Sequence, residues 1–295
     1  MTELAQTIVL GLLLGGVYAL AASGLTLVFG VMNIINVAHG ALLVLAAYFT
    51  WALWRHTGID PIASIVITTP VMFVLGWLIY RLTIRPLGAA PASMSVLLTF
   101  SLALVIQGVL GLVWKNLYRS VRPGYGSSSY TVGGVAIPQA RLYACVTALA
   151  ILGLLWLLLS RTWIGRAIRA SSQNPQGARL MGIDVQAVAA LTFAIGVATT
   201  GAGGSLISVL YPFFPSTHYD WISRLLGIVV LGGMGSLGGA VVGALLMGVA
   251  EAVTATYISL AWVTGVPYIV ILVVLLVRPQ GILGSRTRED VAATA

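Results

Sequence analysis

A few polar side chains interrupt an otherwise apolar sequence, and chemistry is expected first at these positions. Glu251 lies deep in the apolar, glycine-rich stretch 225–257. A charged group inside a membrane is costly, so an acid at such a position is a functional candidate by default. In the alternative, structural interpretation, Glu251 lies near a membrane face and is hydrogen-bonded to a neighbouring helix. The sequence leaves both interpretations open.

A second polar group, Asn33, Asn36 and His39, lies in a short break between two apolar runs. These side chains could line a pathway or hold the end of a broken helix. A lone histidine is poor evidence for a metal site, and His56 and His218 fall in predicted external loops. Gln107, inside another apolar run, predicts a hydrogen bond between helices, because a buried amide in a membrane helix usually finds a partner there.

Sequence patterns of hydrolytic or nucleotide chemistry are absent. No nucleophile elbow, HExxH, P-loop or paired-carboxylate pattern occurs in the 295 residues. The chain is therefore not expected to be an enzyme, and no cofactor or metal is expected in it. If the protein uses ATP, another chain must hydrolyse it.

The long polar segment 160–185, the coupling loop below, is the most informative part of the second half. It holds Arg161, Arg166, Arg169 and Arg179, with Asp184 as its one acid.

The coupling loop also predicts a short helix. Asn174 is a good N-cap, Pro175 suits the first helical position, and Gly182 can close the helix in the left-handed conformation. These signals predict about two turns over Gln176–Met181. Its apolar residues Ala178, Leu180 and Met181 are too few to bury a core, which favours docking onto another protein. The alternative is that the arginines only enforce membrane topology.

Composition places all of these residues in a membrane protein. Hydrophobic residues make up 59% of the chain and charged residues 7%, whereas a soluble protein carries about 25% charged residues. The net charge of +8 is attributed to membrane topology and not to nucleic-acid binding, because the basic residues lie at the ends of apolar runs. The single cysteine, Cys145, excludes an internal disulfide framework.

The predicted fold is an all-α polytopic membrane protein of one permease domain, residues 1–295, with about 8–9 transmembrane helices, some of them short arms. Apolar runs of ~20 residues match a hydrocarbon core of ~30 Å. Around Gly235 and Ser236, glycines are so frequent that we predict two short arms meeting there. The predicted spans are, roughly, 4–30, 37–54, 62–80, 93–114, 142–159, 185–210, the two arms within 225–257, and 262–277.

Basic residues set the predicted orientation through the positive-inside rule. With the coupling loop in the cytoplasm, nine crossings put the N-terminus outside and the C-terminus inside. The inside segments then hold Arg81, Arg85, Arg161, Arg166, Arg169, Arg179, Arg278, Arg286 and Arg288. The outside segments hold Arg55, Lys115, Arg119, Arg122, Arg141 and Arg224.

Four segments carry a resemblance to a known family: GLTLVFGVMNIINVAHG (24–40), GRAIRASSQNPQGARLMGID (165–184), VVLGGMGSLGG (229–239) and RPQGILG (278–284). In this order they resemble the permeases of ABC importers for branched-chain amino acids, specifically the LivH type. The resemblance covers nearly the whole chain. One departure is Val37, where the family usually has an aromatic residue, and it affects the packing expected near His39.

The resemblance implies a role in ATP-driven import. The segment 165–184 corresponds to the family's cytoplasmic loop that docks onto an ATPase subunit, and Gly165, Arg166, Ala178, Gly182 and Asp184 match it. It further implies a second, LivM-like permease, two ATPase subunits that bind ATP and Mg²⁺, and an extracytoplasmic binding protein. The expected location is the bacterial cytoplasmic (inner) membrane.

Other functions remain open at this stage. Relatives within the family import urea, short amides or small organic acids instead of hydrophobic amino acids. A self-sufficient secondary transporter would need a coupling-ion site, for which Glu251 and His39 are the candidates. An intramembrane enzyme would need a catalytic pair, and no such spacing occurs in the sequence.

Overall fold

The computed structural model describes residues 2–88 and 91–284, and this part of the chain is mainly α-helical. The helices are α1 (Thr2–Met32), α2 (His39–Thr57), α3 (Ile65–Ile79), α4 (Ala92–Trp114), α5 (Gln139–Arg161), α6 (Trp163–Gln173), α7 (Pro175–Leu180), α8 (Val185–Leu210), α9 (His218–Gly232), α10 (Leu237–Tyr257) and α11 (Val266–Val277). A π-helical segment, Tyr80–Ile84, and a last turn, Arg85–Leu87, continue α3. A small hairpin pairs β1 (Ser129–Val132) with β2 (Val135–Pro138).

Seven helical segments in the described part are long and apolar enough to cross a membrane. They begin with α1, α3, α4, α5, α8 and α10, and the seventh is α11 with the 3-10 turn before it. The remaining two predicted spans are α2 and the shorter α9. The prediction of an all-α polytopic membrane protein is confirmed, with short arms in addition to full spans.

Glycines let α1 pack against α10 and α8 at very close distance. A Cβ on Gly11 would lie 2.7 Å from the Cα of Val249, and a Cβ on Gly15 would lie 2.7 Å from the Cα of Leu245. Gly24 of α1 meets Gly196 of α8 in the same manner. Small residues allow this approach in membranes, where dispersion contacts drive helix association. Most of α1 and α8 is buried, so they form the centre of the molecule.

Two breaks interrupt the helical path where the sequence predicts them. Asn33 ends α1 with φ +53°, a left-handed conformation that asparagine tolerates. Gly233 and Gly235, with φ +103° and +83°, separate α9 from α10. The break over 233–236 confirms the interruption predicted around Gly235 and Ser236, but only α9 is a short arm, because α10 is long enough to cross a membrane.

The segment 278–284 folds back onto the end of α9. The amides of Ile282 and Leu283 donate to the carbonyls of Leu231 and Gly232 at 2.9 and 3.0 Å. These bonds satisfy carbonyls that a helix C-terminus leaves open. Two of the segments used for the family resemblance, 229–239 and 278–284, are therefore in direct contact.

The loops at the opposite end of the bundle are also joined. Arg119 and Phe213 exchange backbone hydrogen bonds of 2.8 Å, and the Tyr125 hydroxyl donates to Asp60 Oδ1 at 3.3 Å. Burial raises the pKa of Tyr125 above its usual value, and the Asp60 carboxylate raises it further. These contacts link α2, α4 and α8 at this end.

Two sequence expectations change. Arg224 was expected in an external segment, but it lies within α9 and is buried, because α9 begins at His218 and not after a long loop. His218 was likewise expected in an external loop and is also buried. Arg286 and Arg288, which the predicted orientation uses, lie outside the described residues.

Candidate functional site

The predicted short helix of the coupling loop is α7, and both of its ends are closed locally. Asn174 Oδ1 accepts from the Gly177 amide at 2.9 Å at the N-terminus. At the other end Gly182 has φ +79°, and the Ile183 amide donates to the Ala178 carbonyl at 3.0 Å. This 6→1 bond and the left-handed glycine form a Schellman ending. The predicted caps are therefore confirmed.

The side chains of α7 divide into an inner and an outer face. Ala178 is buried, so it packs inward and does not face a partner. Leu180 and Met181 are 89% and 83% exposed, and both lie at the tip of the helix. Arg166 and Arg179 are exposed as well. The coupling loop thus presents two apolar side chains beside basic groups.

A second helix of the coupling loop, α6, was missed by the sequence reasoning. Thr162 caps it by accepting from the Gly165 amide at 3.2 Å. Ala167, Ile168 and Ser171 form its buried face. The signal was present in the sequence, since apolar residues at 164, 167 and 168 follow helical spacing behind a threonine N-cap.

Helix α6 is attached to the end of α5 by two residues of the predicted docking segment. Gly165 lies so close to the Leu159 carbonyl that a Cβ would overlap it. Arg169 Nη1 donates to the same carbonyl. A cationic donor at a helix C-terminus satisfies an open carbonyl and complements the helix dipole. Arg169 therefore has an internal partner, whereas the side chains of Arg166 and Arg179 have no hydrogen bond or ion pair to another residue within 2–88 and 91–284.

The coupling loop reaches the glycine break through a cavity of about 270 Å³. Its lining includes Gly30 of α1, Ile168 and Arg169 of α6, and Gly235 of the break. Gly30 and Gly235 approach so closely that a Cβ on Gly30 would lie 3.2 Å from the Gly235 Cα. Ser236 begins α10 by accepting from the Gly239 amide at 3.0 Å. Because these residues are so close, a displacement of α6 would be transmitted to α1 and to the start of α10.

Glu251 belongs to a group of four side chains, called the ion-pair cluster: the buried Tyr18, Arg224 and Glu251, and the partly buried Tyr211. Arg224 Nε donates to Glu251 Oε1 at 2.5 Å, and Tyr18 donates to Glu251 Oε2 at 2.7 Å. The hydroxyls of Tyr18 and Tyr211 are 2.8 Å apart. Glu251 is 3% exposed and Arg224 is 8% exposed.

Both carboxylate oxygens of Glu251 thus have donors, and its charge is neutralised. The Arg224 guanidinium also lies 4.7 Å from the Trp221 ring centroid, an additional favourable contact for a buried cation. The cluster joins α1, α8, α9 and α10. Sequence reasoning named Glu251 but missed Arg224, Tyr18 and Tyr211; an arginine within an apolar run was the available signal.

The second candidate group lies at the start of α2. His39 is fully buried, and its Nε2 lies 3.1 Å from the Ala21 carbonyl. Asn36 is buried with no partner for either side-chain atom among the described residues, whereas Asn33 is exposed. The amide of Val37 donates to Thr99 Oγ1 at 3.2 Å, which fixes the break onto α4.

Helix α2 begins against α9, and this contact lies inside the bundle. A Cβ on Gly40 would lie 2.5 Å from the His218 carbonyl. His218 Nε2 lies 2.8 Å from Gln107 Oε1, and Gln107 Nε2 donates to Ser216 at 3.0 Å. The predicted interhelical hydrogen bond of Gln107 is confirmed.

The structure does not combine the candidate residues into one site. His39 and Glu251 bind different partners, and Gly235 and Ser236 lie with the coupling loop. No group of three or more histidine, cysteine or carboxylate side chains that could hold a metal is found in residues 2–88 and 91–284.

A family model matches residues 7–275, and its description is a branched-chain amino acid transport system permease component. The match covers most of the chain. It includes the coupling loop, the ion-pair cluster and both helix breaks.

Three curated relatives are similar over nearly their whole length. The high-affinity branched-chain amino acid transport system permease protein LivH of Escherichia coli K12 is 32% identical, covering 95% of this chain and 96% of that protein. Its counterpart BraD of Pseudomonas aeruginosa is 31% identical over 97% of each chain. A probable LivH of Methanocaldococcus jannaschii is 30% identical, covering 90% of this chain and 88% of its own. No solved structure matches the chain.

Proposed function

This chain belongs to the family of branched-chain amino acid transport system permease components, and from that membership we propose that it is a permease subunit of an ATP-driven importer. It forms the translocation path for branched-chain or other hydrophobic amino acids together with a second, LivM-like permease. Two ATPase subunits bind ATP and Mg²⁺ on the cytoplasmic side, and an extracytoplasmic binding protein delivers the substrate. The chain resides in the bacterial cytoplasmic membrane.

The exposed tip of α7 is the observation that carries this proposal. A six-residue helix closed at both ends holds Leu180 and Met181 in the open at 89% and 83% exposure. Apolar side chains in this position gain free energy only when a partner covers them. Arg166 and Arg179, which are exposed in the same loop, favour an acidic rim on that partner, because opposite charges steer association.

The attachment of α6 explains how a docked partner could move the permease. Gly165 and Arg169 hold α6 against the end of α5. The same helix shares a cavity wall with Gly30 and Gly235. Closure of the ATPase pair would displace α6 and α7 as a unit, and the displacement would pass to α1 and to the α9–α10 break. The substrate path then changes its accessible side.

The buried polar residues favour transport driven by ATP hydrolysis in partner subunits over transport coupled to an ion gradient. A secondary transporter would use Glu251 or His39 to bind the coupling ion. Glu251 is neutralised by Arg224, and His39 has a separate partner, the Ala21 carbonyl. The named relatives transport branched-chain amino acids, which favours these substrates over urea, short amides or organic acids.

The test is transport by the assembled complex in proteoliposomes, with leucine as the probe and leucine-loaded binding protein outside. We expect Leu180→Asp to abolish stimulation of ATP hydrolysis and to lower leucine uptake by at least about tenfold. A buried apolar contact at the centre of an interface is worth ~2 kcal/mol or more. The double change Arg166→Glu with Arg179→Glu should have the same direction, because it reverses the local charge.

Leu117→Asp is the matched control, since Leu117 is an exposed leucine, 55% accessible, at the opposite end of the bundle. It should leave retention of the ATPase subunits in the purified complex unchanged, whereas Leu180→Asp should lower that retention. Uptake that proceeds without any ATPase subunit, and that Leu180→Asp does not affect, would refute the importer assignment and make Glu251 the residue to study.

A further inference from the structure

A basic cavity lies beside the π-helical segment that ends the third helix, and the proposed transport function does not use it. The cavity has a volume of about 300 Å³ and is lined by Trp77, Arg81 and Arg85 on one side and by Gln186 and Ala187 of α8 on the other. A second cavity of about 490 Å³ shares Arg85 and Gln186 with it and extends to Arg179 of α7.

The π-helical segment explains why Trp77, Arg81 and Arg85 share one face. In a regular α-helix each step of four residues rotates the side chain by ~40°, so three such residues would fan out. Here the Arg85 amide donates to the Tyr80 carbonyl, five residues back, which widens the turn and reduces the rotation. Arg81 lies over the Trp77 ring, 5.2 Å from its centroid.

Both guanidinium groups in the cavity are open to a ligand. Arg81 and Arg85 are exposed, and the structure gives neither side chain an ion pair or hydrogen bond with another described residue. Asp184 also lines the cavity, but its Oδ1 accepts from the Gln186 and Ala187 amides at 3.0 Å each, as the N-cap of α8. Two cations therefore face one carboxylate that is already hydrogen-bonded.

The surface next to the cavity suits an acyl chain. Helix α3 and its extension form a candidate membrane span, Ile65–Leu87. Val74 and Leu82 of this span are 55% and 71% exposed. Tryptophan is enriched at the level of lipid headgroups, and basic pockets between cytoplasmic helix ends bind anionic headgroups. The cavity therefore offers basic side chains and a tryptophan to a lipid headgroup. The exposed apolar residues of the same span, called the apolar strip, are available to an acyl chain.

We propose that this cavity binds the phosphate of an anionic phospholipid, with Arg81 and Arg85 as its ligands and the acyl chains along α3. The guanidinium groups match the phosphate oxygens in charge and in geometry. The apolar strip argues for a lipid as the source of the phosphate, since a free anion would gain nothing from it. A bound headgroup would lie next to Arg179 and so next to the coupling loop.

The experiment measures how much phosphatidylglycerol the purified complex retains after reconstitution with phosphatidylglycerol and phosphatidylcholine, by native mass spectrometry. We expect Arg81→Gln with Arg85→Gln to lower retention about 25-fold and Arg81→Gln alone about fivefold, from ~1 kcal/mol per arginine. Arg55→Gln with Arg122→Gln, exposed arginines at the other end, should leave retention unchanged. The single variant preserves the test if the double variant does not fold.

Three results would overturn the proposal. Equal retention in wild type and in both variants would show that the arginines do not bind the headgroup. Displacement of phosphatidylglycerol by inorganic phosphate would show a site for free anions. Loss of the ATPase subunits from the double variant, with lipid retention unchanged, would assign this surface to the protein partner.

Discussion

Arg224 and Glu251 face each other among buried side chains, and neither charge can be buried alone at low cost. Their direct pairing, and the second donor from Tyr18, offsets much of that cost. The pair also joins the short helix α9 to the longer helix α10. Because both carboxylate oxygens of Glu251 have hydrogen-bond donors, the pair acts as a structural link between these helices.

Removing one partner should therefore be much worse than removing both. We expect Glu251→Leu to destabilise the permease by about 3–5 kcal/mol, because Arg224 would remain as an unpaired buried charge. Arg224→Leu with Glu251→Leu should recover most of this loss. The measurement is thermal unfolding of the purified complex in one detergent, for the wild type and both variants.

A double variant as unstable as Glu251→Leu would contradict this account. Wild-type stability together with lost uptake in Glu251→Leu would instead assign the carboxylate to the transport path, the functional interpretation that the sequence left open.

At the scale of single elements, the sequence predicted those structures that depend on residues close together in the chain. The α7 helix was predictable because Asn174, Pro175 and Gly182 act within a few residues of one another. The Arg224–Glu251 pair was not, because its partners lie on different helices and no spacing rule connects them. Ala178 shows the same limit: its position in a docking segment suggested contact with a partner, but only the packing of α7 shows that it faces inward.

The attachment of α6 to α5 depends on a glycine, and this gives a prediction for the element. Gly165→Ala would place a Cβ against the Leu159 carbonyl and force α6 away from the end of α5. We expect lower stimulation of ATP hydrolysis by loaded binding protein, with a destabilisation of about 1–3 kcal/mol, as for other overpacked sites. Stimulated hydrolysis and thermal unfolding measure the two effects.

Gly153→Ala is the matched control, because Gly153 lies within α5 and a Cβ there meets open space. It should leave hydrolysis unchanged and not lower stability, since alanine is the better helix former. If both variants behaved alike, the close contact at Gly165 would have no part in coupling.

At the scale of the whole molecule, the described segments assigned to one side of the membrane meet at one end. The coupling loop, the break at Gly235 and the segment 278–284 lie together there, while the loops around Arg119 and Tyr125 lie at the other. Charge bias predicted this grouping. Charge bias could not show that α2 begins inside the bundle, in contact with α9. The hydropathy of an apolar run does not indicate at which depth in the membrane the helix begins.

Labelling of single cysteines would determine which end faces the cytoplasm. In a Cys145→Ala background, Ser172→Cys places a thiol at the exposed end of α6, and Ser128→Cys places one beside the hairpin at the opposite end. On intact cells, a membrane-impermeant maleimide should label the Ser128→Cys variant. It should label the Ser172→Cys variant only after the membrane is permeabilised. This outcome follows from the basic residues near the coupling loop, since cytoplasmic segments retain an excess of arginine and lysine. The opposite pattern would place α7 outside the cell, where no ATPase subunit could reach Leu180 and Met181, and would end the importer proposal.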